Sequence, residues 1–164
     1  MYNKAEIYYK AATNLKDNGF INEALIIEVQ IAIECYLCNI LEMIHQTDCD
    51  HIFNNEELIP HDGLLLYRKI YPYGKDYHPA LPKFSVELKN LLASAFKDYS
   101  SLRFPKDNET IKGSRAVSSE DILDDFNLMQ EVKTFADQFR EKYFELENEL
   151  ENELENEIEV TNEK

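Results

Sequence analysis

Five residues have the type and setting to do chemistry. Arg103 lies two places before Pro105 in a stretch without helical periodicity, and its guanidinium offers a planar fork of donors matched to phosphate. A structural ion pair with Glu34 is the competing use for it. An imidazole ordinarily titrates near neutral pH, so His61 can donate to a phosphate or relay a proton; just ahead of a predicted helix, it can equally act as a cap. Asp62 beside it can orient the imidazole or cap the helix itself. Glu34 falls in the most apolar stretch of the chain and, if buried, needs a partner. Tyr99 precedes Arg103 by a few residues and can stack on a base or pack in the core.

Other chemistries find no support. The chain has no Gly-rich phosphate loop, no His-Glu-x-x-His and no Gly-x-Ser-x-Gly, and no cofactor is expected. Three cysteines are too few for a disulfide framework. Cys35 and Cys38 sit about one helical turn apart, with His45 about two turns beyond and Cys49 further on, so one tetrahedral metal site cannot easily collect them. They are expected to be core thiols, with no metal.

These candidates must be positioned by helices. In 164 residues there are 4 glycines and 5 prolines, which suits a few long helices better than many short strands. Ala5, Tyr8, Tyr9, Ala12 and Leu15 recur at helical spacing and predict a helix over 2–17, closed at Asn18-Gly19 with the glycine in a left-handed position. Residues 20–45 carry apolar groups on most sides, as a central bundle helix does, with Ala24 and Ala32 small enough to admit a close neighbour. Glu28, Gln30, Glu34, Asn39 and Glu42 interrupt that stretch, which argues for a core helix rather than a membrane span.

A short helix is expected over 62–70, a proline-rich loop over 71–82, a fourth helix over 85–99 capped by Ser85, and a second loop over 100–116. The last helix opens at Ser118, three before Asp121, and carries Ile122, Phe126, Met129, Val132, Phe135, Phe139 and Tyr143 as a core stripe. The expected fold is all-α, an antiparallel bundle of four to five helices over residues 1–145, with an acidic low-complexity tail over 146–164. Residues 1–10 have no apolar run of the signal-peptide kind, so a cytoplasmic protein without a membrane contact is expected.

The net charge of −15 is unevenly spread. Residues 1–59 are net −7, residues 60–116 net +4, and residues 117–164 net −12. Such a chain repels nucleic acid at long range, which excludes broad salt-driven coating but leaves room for a local positive pocket holding one phosphate or a short RNA. The middle cations can equally serve to neutralise neighbouring acids. In the tail, Leu146, Leu150, Leu154 and Ile158 follow at steps of four between glutamates. Like charges at i and i+4 destabilise an isolated helix by a few tenths of a kcal/mol per pair, so the tail is expected to be a frayed, solvated extension of the last helix. An acidic arm that mimics RNA and shields the positive middle is the sharper alternative.

Taken in order, several local patterns resemble the HEPN family (higher eukaryotes and prokaryotes nucleotide-binding). They are Ala12-x-x-Leu15 followed by Gly19-Phe20 and Glu23-Ala24, then Ala32-x-Glu34-x-x-Leu37, His61-Asp62-x-Leu64, Leu102-Arg103-Phe104-Pro105, and Ser119-Glu120-Asp121. The resemblance covers about residues 5–140. It implies an antiparallel helical bundle, often a homodimer, that binds a nucleotide or RNA. For many members it also implies a small nucleotidyltransferase partner in a toxin–antitoxin pair. Some members are metal-independent ribonucleases that carry Arg followed after four to six residues by His. Here His78 is the last histidine, so nothing downstream of Arg103 supplies that group, and Arg68 precedes His78 by ten residues. Cys35 and Cys38 also stand where related members often place Lys.

Overall fold

A computed structural model of the chain describes residues 1–45, 78–95 and 118–163. Among them are four helices and no strand: α1 (Tyr2–Asp17), α2 (Glu23–His45), α3 (Val86–Ala95) and α4 (Ser119–Asn162). The expected all-α class stands. The short helix at 62–70, the loop at 100–116 and the greater part of the loop at 71–82 lie outside the described residues.

The helix ends follow local chemistry. Gly19 has φ +78°, which L side chains rarely adopt. It closes α1 in a Schellman turn: the Phe20 N–H donates to Leu15 O at 2.9 Å and the Gly19 N–H to Lys16 O at 3.0 Å. The turn occupies the residues expected to begin the second helix. Asn22 then accepts from the Ala24 N–H at 3.1 Å, so α2 starts at Glu23 and not at residue 20. Ser85 caps α3 by accepting from the Leu88 N–H at 3.1 Å, and Ser118 caps α4 by accepting from the Asp121 N–H at 3.2 Å.

The direction of packing is fixed by long-range pairs. The Met1 ammonium lies 3.4 Å from Glu42 Oε2, so the start of α1 meets the end of α2 and the two run antiparallel. Along α1 and α4, Tyr2 meets Asp137, Glu6 meets Lys133, and the Lys16 ammonium lies 4.8 Å from the Phe126 ring centroid. As α1 numbering rises α4 numbering falls, so these two are antiparallel as well. It follows that α2 and α4 run parallel, a departure from a wholly antiparallel bundle.

Between them lies a single cluster of buried side chains. Ala5 and Ala12 of α1 and Ala32 of α2 are fully enclosed, and their lack of side-chain bulk lets the backbones approach. Ala24, expected to do the same, is exposed. From α4 the core receives Ile122, Phe126, Met129, Val132, Phe135 and Phe139, the expected stripe, with Tyr143 partly buried at its end. Leu88 and Leu92 anchor α3, and Leu91, expected on the same face, is 39% exposed. Phe84, ahead of α3, stacks on Phe135 with centroids 4.3 Å apart. Cys35 and Cys38 are buried in the core. By length and composition Glu23–Ile44 is apolar enough to cross a membrane, but 78% of its apolar window is already covered inside the protein.

α4 does not stop where its burial stops. Leu146 is the last residue packed against the core, yet the helix continues to Asn162, a total of 44 residues or about 66 Å.

Candidate functional site

Of the five residues singled out in the sequence, Glu34 is within the described residues; His61, Asp62, Tyr99 and Arg103 lie outside them. Glu34 is 5% exposed on α2, and its Oε1 accepts from Gln30 Nε2 at 3.1 Å one turn earlier. A carboxylate so enclosed requires such a donor.

The densest polar constellation among the described residues joins α1, α2 and α4. Lys133 of α4 donates to Glu6 Oε1 of α1 at 2.7 Å and to Asp137 Oδ2 at 2.9 Å. The Tyr36 hydroxyl of α2 donates to the same Glu6 Oε1 at 2.5 Å, and the Tyr2 hydroxyl donates to Asp137 Oδ1 at 2.6 Å. The Lys133 ammonium also lies 5.1 Å from the Tyr9 ring centroid and 5.7 Å from that of Tyr36, within the range of cation–π attraction. Arg140, one turn on from Asp137, covers the Tyr2 ring at 4.2 Å.

The electrostatics of this cluster follow from its geometry. Burial raises the Glu6 carboxyl, but hydrogen bonds from Lys133 and Tyr36 outweigh it and hold the group below the usual carboxylate range. Burial, followed by the bond to Asp137, pushes the Tyr2 phenol up to about 12. Tyr36 is raised further, by burial first and then by Glu6. Burial works against the Lys133 charge, yet its bonds to Glu6 and Asp137 raise its pKa. At neutral pH the Glu6 carboxyl is therefore a charged acceptor, while the lysine and both phenols are firmly protonated donors. None of Glu6, Tyr2, Tyr36 and Lys133 is poised to accept and release a proton near pH 7, as a general base must. The arrangement serves to tie three helices together. Nothing in the sequence singled it out, because Glu6 and Lys133 are 127 positions apart.

Other buried polar groups stand alone. Glu28 Oε2 and Asn39 Oδ1, both on α2, have no hydrogen-bond partner, and burial raises the Glu28 carboxyl. Eleven residues separate them, about 16 Å of helix, too far to grip one small group. A groove of about 450 Å³ runs between the start of α3 and α4, lined by Ser85, Leu88, Gln130, Glu131, Thr134 and Phe135, with Asn127 and Gln138 at its margins. Its lining is neutral except for Glu131 and carries no cation, so it is not built for phosphate.

Asp125 gives a direct test of burial. Desolvation pushes its carboxyl up from an ordinary value of 3.8 to about 6. A folded value above the unfolded one means that the fold is favoured while the group is protonated. That advantage is complete below about pH 3.8 and is lost as pH rises through about 6. Asp125→Asn, neutral and of the same shape, is expected to raise stability at pH 7 by about 1–2 kcal/mol after allowance for solvent screening, and to change little below the ordinary value. Urea melts at the two pH values check this; an equal effect at both would sink it.

Set against protein-family models, curated proteins and solved structures, the chain matches none of them.

Proposed function

We propose that this chain is a cytoplasmic HEPN-like helical module, working as a homodimer, that binds a nucleotide or an RNA end at His61 and Arg103 or docks a nucleotidyltransferase partner in a toxin–antitoxin pair. The observation that carries the reading is the order of its local patterns, from Gly19-Phe20 through Glu34 and His61-Asp62 to Leu102-Arg103-Phe104-Pro105 and Ser119-Glu120-Asp121. The turn at Gly19, the buried Glu34 on the central helix and the helix start at Ser118 are in keeping with it. In this reading Arg103 supplies a bidentate phosphate contact. His61 donates a further hydrogen bond, Asp62 orients it, and Tyr99 offers a stacking face.

No histidine follows Arg103, so the module is expected to bind without cutting. The experiment is incubation of the full chain with labelled RNA in EDTA, alongside nucleotide titration. The expected result is intact RNA and nucleotide binding that falls at least about tenfold in Arg103→Ala. Metal-independent cleavage abolished by Arg103→Ala would instead make the protein a ribonuclease with a variant site. Neither binding nor cleavage would overturn the ligand reading and leave a structural interaction module.

A further inference from the structure

The part of α4 that continues past the core presents a surface of defined pattern. Leu150, Leu154 and Ile158 are 61%, 53% and 60% exposed, large values for residues of their size. Together with Leu146 they form a row at i, i+4, i+8 and i+12, which is one ridge of a helix. Residues one before and one after each member are glutamates: 145 and 147, 149 and 151, 153 and 155, 157 and 159. At 100° per residue, these place a file of carboxylates along both sides of the ridge, with Asn148, Asn152 and Asn156 on the back. From Tyr143 to Glu163 there are nine glutamates and no Lys or Arg.

Independently of how the HEPN-like site is used, we infer that this ridge docks a cationic amphipathic helix of another protein. The charge selects the occupant. Glu145, at the start of the ridge, is paired with Lys142 at 2.9 Å, but a second copy would still set the glutamates beyond it against each other, and like charges across a contact are repulsive. An anionic bilayer is repelled for the same reason. A partner whose apolar residues meet Leu150 and Leu154 while its lysines or arginines meet the flanking carboxylates is complementary in both respects. It also relieves the glutamate repulsion within α4 itself, which otherwise works against this part of the helix. The ridge geometry further limits the contact. A row at steps of four drifts about 40° per step, so it makes no continuous coiled-coil seam. A helix seated on it crosses at a steep angle, about 50° in the commonest class, over two or three turns.

The test uses the full chain and three designed helical peptides of about 18 residues. The probe has leucines at steps of four flanked by lysines. One control replaces its lysines with glutamates, and the other replaces its leucines with serines. Binding is read by fluorescence anisotropy at about 50 mM and about 300 mM salt, with sedimentation of the chain alone. The lysine–leucine probe is expected to bind, more weakly at high salt, and neither control to match it. Leu150→Ser with Leu154→Ser is expected to weaken binding at least about tenfold, as is Glu149→Gln with Glu151→Gln, Glu153→Gln and Glu155→Gln. These side chains are exposed, so both variants should retain the helical circular dichroism of the parent. Several results overturn the proposal: no binding of the probe, equal binding of the serine control, affinity unchanged in the leucine variant, or self-association of the chain that depends on Leu150 and Leu154.

Discussion

Phe139→Ala is expected to destabilise the protein by about 3–5 kcal/mol, the usual loss for an aromatic side chain removed from a close-packed core. Phe139 is fully enclosed, beside Phe135 at a centroid distance of 6.1 Å, and Phe135 in turn stacks on Phe84. Truncation leaves a cavity that helices tied at several other points cannot close. A domain of ordinary stability has only about 5–15 kcal/mol in total, so the variant is expected to melt at a much lower urea concentration with an unchanged slope. Leu154→Ala, fifteen residues further along the same helix, is expected to cost less than about 0.5 kcal/mol because that side chain is already in solvent. The pair is measured together by urea denaturation. Comparable losses at the two positions would mean that burial along α4 does not end at Leu146.

Lys133→Met is expected to cost about 2–3 kcal/mol at pH 7, because it keeps the aliphatic stem but leaves Glu6 and Asp137 without their shared cation. All three side chains keep some solvent contact, from 22% for Lys133 to 39% for Asp137, which places the expected loss below that of a fully buried pair. The pH dependence follows from Glu6. Its folded pKa lies below the unfolded one, so the stability it contributes is present above the ordinary value of 4.5 and is lost as pH falls through the depressed folded value. The gap between parent and variant should therefore narrow in acid. Adding Glu6→Gln to Lys133→Met should restore part of the loss at pH 7, since it removes one of the two stranded charges. Purely additive losses in this double-mutant cycle would show that Lys133 and Glu6 do not interact.

The helix ends were legible because each depends on a few adjacent residues. Gly19 supplies the positive φ that closes α1, Ser85 and Ser118 supply the oxygens that start α3 and α4, and all three could be found by type and position. The α4 stripe was equally legible, since a period of three and four residues states which face is apolar. Where sequence reasoning failed, a neighbour was responsible. Ala24 and Leu91 have the composition of buried residues but face outward, and the Schellman turn displaced the start of α2. Of the candidate site, Glu34 alone can be placed, buried and held by Gln30. The cluster of Glu6, Tyr36 and Lys133 went unseen because its members belong to three helices and have ordinary surroundings in sequence.

By itself the sequence determined that this protein is built of helices, where several of them begin and end, and which face of α4 is apolar, because dihedral preferences, caps and periodicity act within a few residues. The tertiary structure alone decided that α2 and α4 run parallel. It also decided that one lysine in a strongly acidic segment is held between two carboxylates, and that the core stops at Leu146 while the helix does not. Those outcomes depend on which surfaces meet between segments far apart in the chain, as Glu6 and Lys133 do across 127 positions, and local chemistry does not encode such meetings.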